Sequence, residues 1–180
     1  MSHGTIDHDN AHGEFAVSVA NKQVQHVVNE GQLADAVRAV LGQSRFSSAN
    51  VSLAVVDDST IHELNRRYLN HDWSTDVLSF TLEEADDRLE GEVIISADTA
   101  AEAAAEAGWA PAAEQLLYAV HGTLHLVGYR DKTAAEAQSM RAAEAALLRQ
   151  FGFEPPQDIA RGSADESRTS PRSDRGAKAQ

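Results

Sequence analysis

The spacing of apolar residues changes along this chain, and each change marks a predicted element. Phe15, Val17 and Val19 alternate with small residues, which predicts a strand. Val24 to Val28 is a second short run of ambiguous type. Leu33, Val37, Val40 and Leu41 recur at helical spacing, and Gly42 follows as a stop. Val51, Leu53 and Val55 alternate again, so residues 50–56 read as a strand. Asp57, Asp58 and Ser59 offer N-caps for a helix whose buried stripe is Ile61, Leu64 and Tyr68. Residues 70–74 read as a loop and residues 75–80 as a strand. The acidic run 83–90 reads as a solvated connection; it lacks the ligand spacing and mid-loop glycine of a calcium loop. Residues 91–96 read as another strand.

Three helices follow. Residues 98–107 are alanine-rich, with Asp98 near the start and Gly108 after the end. Pro111 suits the first turn of the next helix. On it Leu116, Val120, Leu124 and Val127 form an apolar ridge, and Leu117, His121 and His125 form the neighbouring one. Thr133 and Glu136 have the spacing of a capping box. They open a helix carrying Ala137, Met140, Ala143, Leu147 and Leu148, which stops at Gly152 and cannot pass Pro155-Pro156. The order predicts a single α+β domain, residues 14–154, in which helices pack against a small mixed β-sheet. Residues 1–13 and 155–180 are polar and read as disordered tails.

Composition narrows the chemistry. The chain has no cysteine, which excludes disulfides, thiolate metal sites and a thiol nucleophile. Its net charge is −13, and residues 14–154 carry −12 of it, since the N-terminal tail holds −2 and the C-terminal tail +1. Such acidity opposes broad, non-specific nucleic-acid binding but leaves room for a local basic groove. No apolar run approaches membrane-spanning length, and the first residues lack the layout of a secretory signal. A cytoplasmic location with no membrane partner is expected.

The densest chemistry lies in residues 121–131. His121 and His125 are four apart, so a helix places both imidazoles on one face, one turn apart, where they can converge on a metal ion. Gly128 can end that helix in a left-handed cap and let the chain bring Asp131 back to the same ion. The expected site is two His nitrogens and one carboxylate oxygen around one divalent ion, zinc first, with a position left for water. No nucleotide cofactor is expected.

His-Gly-x-Leu-His-Leu-x-Gly-Tyr at 121–129 resembles the signature of the YbeY family, bacterial metal-dependent endoribonucleases of ribosomal RNA maturation and ribosome quality control. Leu64-Asn65 with Tyr68, residues 75–80 and residues 91–96 resemble further segments of that family, as do Met140 and Glu144. The likeness covers roughly residues 50–150 in the right order. It implies metal-assisted cleavage of single-stranded RNA, with ribosomal RNA and possible ribosomal proteins as partners. His121, His125 and Asp131 would hold the ion, His121 being catalytic in that sense.

Two positions depart from the family pattern. The family continues after Gly-Tyr with Asp-His, and that His is its third ligand; here Arg130 and Asp131 stand there. A carboxylate ligand is legitimate for zinc but makes the ion a weaker Lewis acid. The family also has Arg after the tyrosine of the second helix, where this chain has Leu69. Arg66, on nearly the same helical face, is the candidate replacement for a catalytic, phosphate-binding cation, and Arg130 is a second substrate-binding candidate.

Asp76 either orients a site histidine or caps the start of its strand. Ser79 either lines the cleft or faces the sheet, Trp73 and Trp109 pack or stack on bases, and Glu144 reads as structural. Two alternatives stay open. A zinc metalloprotease shares the ligand spacing, but Gly122 stands where such enzymes place a Glu base. A non-catalytic, ribosome-associated metal-binding protein would want a fourth ligand, for which His62 or His71 could serve.

Overall fold

The computed structural model describes residues 14–69 and 75–156. Nine elements follow in the predicted order: β1 (Glu14–Asn21), α1 (Glu30–Leu41), β2 (Ser48–Val56), α2 (Asp58–Leu69), β3 (Val77–Ala85), β4 (Arg88–Ser96), α3 (Ala97–Ala107), α4 (Pro111–Leu126) and α5 (Ala134–Gln150). The sheet order is β1-β2-β4-β3. β1, β2 and β4 run parallel, and β3 pairs antiparallel with β4 at one edge. The expected α+β architecture with a small mixed sheet is what the chain adopts.

Strand alternation sorts the core into two faces. Val51, Leu53 and Val55 of β2 and Leu89, Val93 and Ile95 of β4 point to the face that carries α4. The opposite residues Val56, Leu78 and Ile94 meet Ile61 and Leu64 of α2. α4 is buried on nearly every side, including Ala113, Leu116, Leu117, Ala119, Val120 and Leu124. A helix apolar around most of its circumference belongs at the centre of a fold. It touches α1, α3, α5, β3 and β4. No helix among the described residues is long and apolar enough to cross a membrane.

Three local expectations change. Residues 83–90 are not a solvated connection; they form the outer part of the β3–β4 hairpin, turning at Asp86, whose φ is 45°. Leu89 is 1% exposed and anchors that end, while Arg88 pairs with Glu83 at 2.9 Å on the exposed side. The polar residues therefore decorate a paired backbone, and their charge hid the strand. Tyr68 is 59% exposed instead of completing the buried stripe of α2, and its ring meets Phe80 edge-on with centroids 5.8 Å apart. Val24–Val28 forms no regular element: the Gln23 side chain accepts from the backbone N–H groups of Gln25 and His26, both at 2.8 Å, and stabilises a bend. The tail residues 1–13 and 157–180 and the loop residues His71 and Trp73 lie outside the described residues.

The seat of α4 on the sheet depends on two glycines. A Cβ on Gly122 would lie 2.6 Å from Val93 Cγ1 and 2.9 Å from Val77 Cγ2. A Cβ on Gly91 would lie 2.8 Å from Leu126 Cδ1. Helix and sheet each omit a side chain where the other presses closest. Gly122→Ala would be favoured by about 1 kcal/mol from helix propensity alone. Packing reverses the sign, because Val93 is fully buried and cannot swing away. We expect Gly122→Ala to lower unfolding stability by roughly 1–3 kcal/mol, read from urea denaturation. A neutral or stabilising result would show that α4 does not sit this closely.

Candidate metal centre

His121 and His125 stand on the last two turns of α4 and face the same side. The helix ends as Gly128 allows: this glycine has φ 102°, in the left-handed region. The Gly128 N–H donates to the His125 carbonyl at 3.1 Å and the Tyr129 N–H to the Leu124 carbonyl at 2.9 Å. This pair of bonds is a Schellman cap. The cap turns the Tyr129 carbonyl back over the helix end, where it accepts a hydrogen bond from His125 Nδ1 at 3.2 Å. Two residues later Asp131 Oδ2 lies 3.8 Å from His125 Nε2.

The other ring is fixed from α5. Thr133 and Glu136 form the expected capping box, so α5 starts directly after the turn. Three turns on, Glu144 is 5% exposed and its Oε1 sits 2.7 Å from His121 Nδ1. A carbonyl and a carboxylate both accept, so each Nδ1 carries the proton and each Nε2 keeps its lone pair. The two Nε2 atoms face one another at 3.1 Å. Two lone pairs at that distance repel unless a cation lies between them. A proton could serve only by making one ring cationic. At His125 burial, and then the neighbouring His121, push the pKa below the ordinary imidazole range. A divalent metal fits this gap. Two nitrogens bound at about 2.0–2.1 Å in tetrahedral geometry stand about 3.3 Å apart, close to the observed gap. One ligand atom each from His121, His125 and Asp131 lies within 4.8 Å of the other two.

These groups open into a cleft of about 430 Å³ between β3, the end of α4 and the start of α5. Ser79 lines it from β3 and Asp76 from the residue just before that strand. Asp76 Oδ1 accepts from the Val77 N–H at 2.9 Å, which is the strand-capping alternative; the carboxylate on His121 is Glu144 instead. That bond was not legible from sequence, because Glu144 is 23 positions away and only the docking of α5 on α4 brings it in. Arg66 is exposed on α2, against the far face of the sheet, and Arg130 is exposed beside His125; neither lines the cleft. Among the described residues the cations that line it are Lys132 and Arg141, which sequence reasoning passed over. Trp109 packs against the core and donates to Glu114 at 2.7 Å. His62 lies on α2 and is not in the ligand cluster.

The family model described as Endoribonuclease YbeY matches residues 17–152. Endoribonuclease YbeY of Rhodopirellula baltica is 43% identical over 137 residues, covering 75% of this chain and 69% of that protein. The Moorella thermoacetica protein of the same name is 43% identical over 151 residues, covering 76% of this chain and 97% of that protein. The solution structure of TM1509 from Thermotoga maritima shares the fold, with a TM-score of 0.54 and 22% identity over 82% of this chain and 98% of that one. The motifs at 64–68, 75–80, 91–96 and 121–129 thus sit within a match that covers most of the chain, and the chain belongs to the YbeY endoribonuclease family.

Proposed function

We propose that His121, His125 and Asp131 hold the divalent ion with which this metal-dependent endoribonuclease cuts single-stranded ribosomal RNA during its maturation. The observation that carries the reading is the pair of Nε2 lone pairs aimed into one gap beside a carboxylate, at the wall of an open cleft. Zinc suits two imidazoles and one carboxylate with a position left open. When bound, such an ion polarises a phosphoryl oxygen and makes a water easier to deprotonate. The chain's own groups prepare that chemistry. Glu144 and the Tyr129 carbonyl set the tautomer and angle of the two rings. Asp131 completes the set from the turn after the Schellman cap. Gly122 offers no carboxylate where a peptidase needs its base, and its α-carbon is pressed on the sheet.

We take residues 14–154 as the working domain, with ribosome quality control as a setting and ribosomal proteins as neighbours of the substrate. The direct test is cleavage of a single-stranded oligoribonucleotide and of casein, each with and without chelator. We expect RNA cleavage that chelator abolishes and zinc restores, and intact casein. Chelator-resistant cleavage, or digestion of casein, would overturn the reading.

Two variants probe the ligand shell. Asp131→Ala should retain clearly less metal than the wild type in elemental analysis of purified protein; equal content would remove Asp131 from the ligand set. Glu144→Ala should weaken ion affinity by about 10–100-fold, the usual range for loss of such a supporting carboxylate, in competition with a chromophoric chelator. Glu144→Gln keeps an acceptor oxygen but not the charge, and should fall between. Wild-type affinity in both would show that the His121–Glu144 bond is incidental.

A further inference from the structure

We infer that Arg141 and Lys132 are the phosphate-binding side chains of the cleft, holding the RNA backbone beside the metal centre. The inference rests on the nuclease reading above and names the residues that confer substrate affinity. Its starting point is a deficit of positive charge. Asp76, Asp131 and Glu144 all line the cleft, in a chain of net charge −13. A polyanion approaching that wall needs cations in addition to one divalent ion. The positions suggested by sequence do not supply them, since neither Arg66 nor Arg130 lines the cleft.

Arg141 and Lys132 do line it, Arg141 from two turns inside α5 and Lys132 from just before its N-cap. Arg141 is four residues after Ala137 and three before Glu144, so the three share one face of α5, and all three border the cleft. It therefore projects from the helix that fixes His121. Lys132 directly follows Asp131 in the turn that reaches the capping box. Both side chains are exposed. Arg38, Arg45, Arg88 and Arg149 are each committed to a carboxylate within 4.0 Å. Arg141 and Lys132 have no such bond among the described residues, although three carboxylates share their cleft. Their charge is available to a ligand. The planar guanidinium of Arg141 can grip a phosphate through two parallel N–H···O bonds, and Lys132 can act as a point charge on its neighbour.

The test is the salt dependence of RNA binding by the zinc-loaded protein. The probe is a fluorescent single-stranded RNA with 2′-O-methyl riboses, followed by anisotropy and checked intact afterwards. Removing one cation from a phosphate should reduce the slope of log affinity against log salt by about 0.7 for a single strand. We expect that reduction for Arg141→Gln, about twice it for the Lys132→Gln/Arg141→Gln pair, and a near-wild-type slope for Arg141→Lys. Arg38→Gln, on the outer face of α1, should change nothing. On cleavable RNA, Arg141→Gln should raise KM several-fold while metal content stays at the wild-type level. A wild-type slope and KM in Arg141→Gln would overturn the assignment while leaving the nuclease reading intact. A wild-type protein that neither bound nor cut RNA would overturn both.

Discussion

The metal centre depends first on how closely α4 lies against the sheet. Gly122 follows His121 on that helix, and its bare α-carbon rests on Val93 and Val77. His121 is its immediate neighbour, so the helix height that Gly122 permits is also the height of His121 above β3. Gly91 makes the reciprocal concession one turn later, under Leu126. The two histidines thus stand on a helix pinned by tight apolar contacts. Side chains held this way have little freedom left to lose when they converge on an ion.

The second constraint is the direction of the ring protons. Without acceptors at Nδ1, each imidazole could present either nitrogen. The Tyr129 carbonyl, returned by the left-handed residue Gly128, fixes one ring; Glu144, buried on α5, fixes the other. One orienting group is local and comes from how the helix ends. The other is distant and comes from tertiary packing. Together they leave two lone pairs in mutual repulsion, an arrangement that gains stability only when a cation enters.

That split explains what could be read from sequence. Features set by near neighbours were legible: the i, i+4 histidines, the Gly128 cap, the Thr133–Glu136 box, and the alternation that built β1 and β2. Features set by docking were not. Glu144 read as an ordinary helix carboxylate because nothing in α5 alone points to His121. Arg66 is a candidate for the phosphate role by helical spacing, which gives a residue's face on its own helix but not which side of the sheet the helix covers. The hairpin at 83–90 escaped because strand pairing, unlike apolar burial, leaves no mark on a charged sequence. The family resemblance rested on local motifs, and it survived for that reason.

The Asp131 departure and the cleft cations belong to one charge balance. In the family pattern the third ligand is a neutral imidazole, so a divalent ion beside one buried carboxylate keeps a net positive charge. With Asp131 in the proposed ligand set, Asp131 and Glu144 would together match the two charges of a divalent ion, and Asp76 adds a further negative charge in the cleft. A phosphodiester would meet a neutral or acidic site and be repelled by it. Lys132 and Arg141 restore the missing charge from side chains that lie outside the ligand set. Affinity for the backbone is thereby separated from the Lewis acidity of the ion. A chain that accepts a carboxylate ligand can still hold RNA, provided its cations are placed on α5 and the turn before it rather than on the metal.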